Sequence, residues 1–299
     1  MTFPVRFPDI DYSQLPAHWA KSIAFSQNRN AASTIPTPVE PWLIKLLQSA
    51  VDQLPDSDER LRAEVKAFIG QESQHFRQHR QFNRRMVEAG YPRLAEFEKG
   101  LVDDLQRLRE TRSLKFLLAY ADGFESLGAV SGAIWFEKSD RYVGGLDNAG
   151  VRLWKWHMAE EFEHREVCFK FYHALFGRGF WNAIVNGYFY RVYGFVYALI
   201  HLGGYTKKVS DYLLEVDRAG MNAEERARLD RDIKEFNAFQ RRVFLLQLAK
   251  NFLPWYNPGR KRTPRGLYEY LRQFEPGGSM AREVAPAASA RPVPIQSGD

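Results

Sequence analysis

Two short segments restrict this chain more than anything else in it. One is a Glu-x-x-His at Glu72 and His75; the other is a Glu-x-x-His at Glu161 and His164, preceded one turn earlier by His157. Side chains four and then three positions apart share one narrow face of an α-helix, so the stretch WKWHMAEEFEHREVC (154–168) turns His157, Glu161 and His164 the same way. The upstream segment carries its pair within the stripe Leu61, Val65, Phe68, Glu72, His75, His79, Phe82 and Met86, whose alternating spacing of three and four is that of a helix packed in a bundle. Titratable groups thus stand where a core-facing stripe calls for apolar ones. Buried without partners they are costly, so something must compensate, and a lone histidine satisfied within the core is a weaker explanation than ligation for a Glu flanked by two His.

Ferritin-like dimetal carboxylate proteins show this pattern: two helices each give a Glu-x-x-His, and two more each give one Glu to the inside of a four-helix bundle. The expected fold class is therefore all-α, a ferritin-like four-helix bundle with additional C-terminal helices. In the first helix the carboxylate is Glu40. Thr37-Pro38-Val39-Glu40 also reads as a helix start, with Thr37 as N-cap and Glu40 as a capping-box partner, and spacing alone favours that cap. This helix is expected to run to about Gln53. In the third helix, Leu114, Leu118, Asp122, Glu125, Ala129 and Gly132 mark one face, with small residues (Gly123, Ser126, Gly128) leaving room for a neighbouring helix or a substrate. Glu125 is the candidate ligand and Asp122 its competitor. The fourth helix carries Trp154, His157, Glu161, His164, Cys168, Phe171 and Leu175 as one continuous stripe. Glu160, Glu163 and Glu166 fall on its other faces, as hydrogen-bond acceptors behind the histidines or as ordinary surface charge.

Around this bundle the chain divides by composition. Residues 1–36, with Pro4, Pro8, Pro16 and Pro36, read as an extended arm packed over a single helical domain at 37–275. Its bundle core spans 37–177, and accessory helices span 178–275. A charged helix at 94–109 covers the bundle, a turn-rich connection occupies 140–150, and 276–299 reads as a disordered tail. The aromatic stretch 181–205 approaches the length of a membrane span, but Arg191 and two asparagines favour a buried helix flanking the site or one resting at a membrane interface. No secretory signal is apparent at the N-terminus, so the expected location is cytoplasmic, with peripheral contact with the inner membrane through 181–205 as an addition. The single Cys168 excludes a disulfide framework and a thiolate cluster. A net charge of +6 over 299 residues, with its basic residues crowded late, is read as solvated surface and no nucleic-acid partner is expected.

Four carboxylates, Glu40, Glu72, Glu125 and Glu161, balance two divalent cations, with His75 and His164 giving one imidazole to each. Such oxygen-rich ligation suits two iron ions, or manganese or a mixed iron–manganese pair. His157 adds a seventh ligand and makes one metal richer in nitrogen.

The segments GQESQHFRQHRQFN (70–83) and WHMAEEFEHREVCFKFY (156–172) resemble a bacterial family labelled predicted metal-dependent hydrolases, over about residues 33–275. That family carries a Glu near the start of its first helix, usually after a Gly. Here the pair is Val39-Glu40, and the resemblance turns Glu40 from cap into expected ligand. The ligand pattern is also similar to that of the di-iron p-aminobenzoate N-oxygenase family, a similarity confined to the pattern. It implies a seven-ligand di-iron site activating dioxygen to oxidise an amine or another organic substrate. His79 has no counterpart there, and it is expected to act behind the ligands or as a proton carrier, with Asp122 as the other candidate catalytic group.

Three readings follow. The first is a di-iron oxidase or oxygenase with dioxygen as co-substrate and an external electron donor, acting on a largely apolar or aromatic small molecule in a pocket walled by Phe68, Trp135, Trp154, Trp156 and Tyr188. The second is a dimetal hydrolase using a metal-bound hydroxide, against which stands the lack of a phosphate clamp or nucleophile motif near the ligands. The third is a non-catalytic metal-storing or membrane-associated protein. A homodimer is compatible with each of them.

Overall fold

The computed structural model describes residues 3–282, and among these residues the fold is all-α. Short turns of chain join α1 (Ile23–Ser33), α2 (Pro36–Ala50), the long α3 (Glu59–Glu88), α4 (Leu94–Thr111) and α5 (Leu114–Lys138). After the single-turn α6 (Asp140–Val143) come α7 (Ala149–Glu163), α8 (Val167–Phe176), α9 (Phe180–Ile184), α10 (Arg191–Ala219), α11 (Ala223–Ala249) and α12 (Leu267–Leu271). The bundle consists of α2, α3, α5 and the pair α7–α8, each packed on its neighbours. Helix α4 lies over α2, while α10 covers α5 and α1, and α11 closes over α1 and α5.

The stripe that organises α3 is buried as its spacing requires: Leu61, Val65, Phe68, Phe82 and Met86 enclose Glu72, His75 and His79, all sealed from solvent. Helix α5 approaches its neighbours at glycines. A Cβ at Gly123 would press on the Phe195 backbone of α10, and one at Gly132 would press on the Met158 carbonyl of α7. The room left by small residues is therefore filled by helices on both sides.

Several boundaries differ from expectation. Helix α2 begins at Pro36, with Ile35 as its cap and no side-chain capping bond. Thr37 Oγ1 instead donates to Glu98 (2.6 Å), so the capping box is absent and Glu40 has no role in it. The helix ends at Ala50, and a 3-10 turn carries the chain to Gln53. The expected fourth helix is two: the chain breaks at His164 and restarts at Val167. No glycine or proline marks this break, so periodicity runs straight through it; Arg165 holds it by donating to the Phe162 carbonyl (2.5 Å) and the Pro258 carbonyl (2.9 Å).

The arm is extended only as far as Lys21. Ser22 then caps α1, its Oγ accepting from Phe25 N, and α1 is buried between the bundle and α10 and α11. The beginning of the expected tail is also structured, since Pro8 and Ala281 form an antiparallel bridge and Arg282 N donates to the Phe7 carbonyl (2.7 Å). The remainder of that tail, 283–299, lies outside the described residues. The stretch 181–205 divides in two. Its first half exposes Trp181, Val185 and Phe189 around a π-helical turn at Val185–Tyr190, whereas Phe195, Ala198 and Leu202 of α10 are buried against the core. Among the described residues no helix is long and apolar enough to cross a membrane.

Candidate metal centre

Each bundle helix delivers its carboxylate to one point. Glu40 comes from α2, Glu72 and His75 from α3, Glu125 from α5, and His157 and Glu161 from α7, while His164 arrives at the break after α7. All seven are buried. They fall into two groups, Glu40, His75, His157 and Glu161 in one and Glu72, Glu125, Glu161 and His164 in the other, so Glu161 belongs to both. His157 Nε2 lies 3.0 Å from Glu161 Oε1 and 3.6 Å from Glu40 Oε1. His75 Nδ1 lies 3.4 Å from Glu72 Oε1 and 3.8 Å from Glu161 Oε1. His164 Nε2 lies 3.3 Å from both Glu72 Oε1 and Glu125 Oε2, and 3.5 Å from Glu161 Oε1. Donor atoms spaced this way are what ligands show when they share an ion at roughly 2.1 Å from each.

The fit to metal rests on unsatisfied atoms. Both carboxylate oxygens of Glu40, Glu72 and Glu125, together with Glu161 Oε2, His75 Nδ1 and His164 Nε2, are buried without a hydrogen-bond partner. Native interiors leave few such atoms, and these converge on one space. A metal cation there could supply what the protein withholds.

The opposite side of each imidazole is held. His75 Nε2 donates to Glu160 Oε2 (2.9 Å), a carboxylate that can only accept, which leaves Nδ1 as the bare nitrogen facing the cluster. His164 Nδ1 donates to Gln71 Oε1 (2.9 Å), leaving Nε2 inward. His157 Nδ1 meets His79 Nε2 (2.6 Å), and His79 Nδ1 meets Ser33 Oγ (2.7 Å), which donates to Asn83 Oδ1 (2.5 Å). A hydrogen on His157 Nδ1 and another on His79 Nδ1 satisfy this chain and turn His157 Nε2 to the cluster. Behind Glu160 and Glu163 stands Arg6 of the arm, at 2.9 and 2.7 Å, and Gln71 Nε2 also donates to Glu163 (2.8 Å).

Charge follows the same geometry. Burial, reinforced by the mutual repulsion of the carboxylates, raises the pKa of Glu40 and Glu125 well above the usual range. Burial likewise lifts Glu72 to about 8. For Glu161, burial is outweighed by the adjacent imidazoles of His157 and His164, and its pKa falls. Burial works against a charged His164 too, but the carboxylates of Glu125 and Glu161 close beside it prevail and its pKa rises. Burial and neighbouring imidazoles push His157 and His79 down, keeping them neutral.

Asp122 is not part of this group. It sits one turn before Glu125 on α5, but there α10 presents Arg191, and the two pair at 3.2 Å, with Arg191 also donating to the Asn251 carbonyl (3.0 Å). Its role is that of a buried ion pair holding α5, α10 and the segment after α11. Glu166 is half-exposed beside Lys170, while Glu160 and Glu163 are the acceptors described above. Of the aromatic residues expected around a pocket, Phe68 packs on His164, Trp156 on His75, and Trp154 on His79 and His157, with Trp135 behind Trp154. Tyr188 is instead tied to the Phe252 carbonyl (2.8 Å).

A cavity of about 500 Å³ opens onto His157 and Glu161 from the side of α1, α5, α10 and α11. Its walls are largely apolar, including Phe124, Leu127, Trp154, Met158 and Leu199. Gly128 lies where its wall meets the ligands, and a Cβ there would overlap the Glu161 carboxylate. Sequence periodicity missed Arg6, Ser33 and Gln71, which lie off the ligand stripes, and passed over Asn83, although it follows His79 by four positions on the same face of α3. Gln71 carried a weaker local signal, as the neighbour of Glu72.

Comparison with known proteins agrees with this geometry: the family described as predicted metal-dependent hydrolase matches residues 4–261. No curated protein and no solved structure matches the chain.

Proposed function

This chain belongs to the predicted metal-dependent hydrolase family, and from that membership and its buried carboxylate–imidazole cluster we propose that it is a dimetal oxidase or oxygenase acting with dioxygen on a small, largely apolar molecule. The observation that carries this reading is the donor set itself: only carboxylate oxygens and imidazole nitrogens, buried, unsatisfied, and arranged in two groups that share Glu161. Glu40, His75 and His157 would hold one ion and Glu72, Glu125 and His164 the other, with Glu161 between them. Iron or manganese fits these donors, and the pair would supply the binding and reduction of dioxygen.

The chain's own residues do the rest. Glu160, Gln71 and His79 fix the orientation of His75, His164 and His157. The largely apolar cavity wall borders Glu161 and His157 and gives an organic substrate a surface to bury. Placing one oxygen atom in a substrate, with the other leaving as water, consumes two electrons and two protons, so an external electron donor belongs to the proposal. The family's description favours a second reading, hydrolysis, which needs no electrons and tolerates zinc.

The test is metal analysis of protein expressed with iron, then anaerobic reduction and rapid mixing with dioxygen under an optical probe. Two irons per chain and a transient visible absorbance are expected. Iron indifferent to dioxygen, with hydrolysis sustained by zinc, would overturn the oxidase in favour of the hydrolase.

A further inference from the structure

One wall of the cavity carries a charge that the protein leaves unanswered. Arg29 of α1 extends along the cavity between two aromatic rings, its Cζ 5.6 Å from the centre of Phe25 and 5.5 Å from that of Trp154. Its Nε is buried without a hydrogen-bond partner, and among the described residues no carboxylate stands within ion-pair distance of the guanidinium. Arg6 and Arg191, which are fully buried, are each paired, Arg6 with Glu160 and Glu163 and Arg191 with Asp122. Nearby acids are committed elsewhere. Asp232 accepts from Ser22 Oγ and Ala24 N, Asp217 from Gln27 and Tyr91, and at the exposed rim Asp211 pairs with Lys207. Burial draws Arg29 down to about 10, which still leaves it cationic at neutral pH. A half-buried cation held between aromatic rings and facing a cavity lacks the charged partner that its partial desolvation calls for. The cavity's occupant can provide it.

The position of Arg29 shows how the occupant would lie. Trp154 carries the guanidinium and is also nearly parallel to the His157 ring, at 13° and 6.0 Å between centres. One indole therefore spans the distance from the free cation to the ligand cluster, with Met158 and Leu127 beside it.

We propose that Arg29 is the anchor for a carboxylate of the substrate, so that the molecule taken into this cavity is an organic acid whose apolar or aromatic body lies along Trp154 and whose far end meets His157 and Glu161. The guanidinium fork matches a carboxylate with two parallel hydrogen bonds, and aromatic stacking holds that fork in place before the ligand arrives. The proposal rests on the cavity being the substrate site of a dimetal enzyme, and it sharpens that reading from an apolar molecule to an apolar acid.

Calorimetric titration of the metal-loaded full chain with benzoate, benzamide and benzylamine tests it without requiring turnover. Benzoate is expected to bind at least about ten-fold more tightly than benzamide, the scale of one charge-assisted bidentate contact, and benzylamine more weakly than either. Arg29→Gln should erase the preference of benzoate over benzamide while keeping two metals per chain; Arg29→Lys should retain part of it. Equal binding of benzoate and benzamide by the unaltered protein would overturn the proposal, and that comparison needs no variant to fold. A preference that persists in Arg29→Gln would also overturn it, by placing the carboxylate on the metals. Failure of the iron to react with dioxygen, with the Arg29-dependent preference intact, would count against the oxidase and leave the anchor standing.

Discussion

Glu161 is the residue on which the two halves of the centre depend, because its carboxylate belongs to both groups of candidate ligands. Glu161→Ala is expected to lower metal content more than His164→Ala, which removes a donor from one group only. Glu163→Ala should keep both metals, since Glu163 faces Arg6 and Gln71 instead of the cluster. Metal analysis of the three purified variants decides this, and equal loss in all three would show the facing to be wrong. The raised pKa values of Glu40, Glu72 and Glu125 give a second test. A carboxyl whose folded pKa exceeds its unfolded value binds more protons folded than unfolded, so its contribution favours folding at low pH and is lost as pH climbs from about 4.5 through the folded value, about 8 for Glu72. The metal-free protein should therefore lose thermal stability between about pH 5 and pH 8. The loaded protein, with those charges neutralised by cations, should not, and the gap in Tm should widen as pH rises. A constant gap would mean that these carboxyls do not hold protons in the metal-free fold. At this scale the sequence was informative because ligand chemistry obeys helical spacing: six of the seven candidate ligands sit on stripes that periodicity exposes, while Glu40, which spacing alone assigns to a cap, was reached through the family resemblance. Glu160 was less clear. It lies off the stripe, and only the arrival of Arg6 from the arm explains why a carboxylate there is fully buried.

At the scale of helices, the centre depends on how closely α5 approaches α7. Gly128 lets the Glu161 carboxylate lie against the α5 backbone, where any Cβ would overlap it. Gly128→Ala should cost about 1–3 kcal/mol of stability by overpacking and reduce metal content, because the nearest group that can yield is the carboxylate of Glu161, the candidate ligand common to both groups. Wild-type metal content in a folded Gly128→Ala variant would show that Glu161 has room to move aside. The small residues of α5 signalled a close approach in the sequence, without saying what would approach. Asp122 shows the limit of such reading. It shares a face with Glu125 by spacing, and only the fold reveals that α10 meets it with Arg191 one turn away from the cluster. The break between α7 and α8 was hidden for a different reason, since it is made by Arg165 capturing the carbonyls of Phe162 and Pro258, a long-range contact that leaves no Gly or Pro to mark it.

Across the whole molecule, the two ends of the described chain close over the face of the bundle behind His75 and His164. Arg6 reaches Glu160, Glu163 and Glu275, Gln71 donates to the Pro4 carbonyl, and Gln78 to the Pro8 carbonyl, while residues 280–282 pair with residues 7–9. The arm that reads as extended, proline-marked chain packed over the domain thus stands behind two imidazoles, and its importance comes from one arginine whose partners lie more than 150 positions away. Arg6→Ala leaves Glu160 fully buried and Glu163 partly buried without their cation, and the loss of the partner of a buried charge typically costs about 3–5 kcal/mol. It should also weaken metal binding by roughly 10–100-fold, the usual effect of losing a group behind a ligand, because Glu160 no longer has a fixed position from which to hold His75. Arg6→Lys should restore part of the stability but less of the metal affinity, since a single ammonium cannot span both carboxylates as the guanidinium does. Competition with a coloured chelator measures the affinity and thermal unfolding the stability. A variant that loses stability yet keeps full metal affinity would separate the arm from the centre and leave it a purely structural clasp.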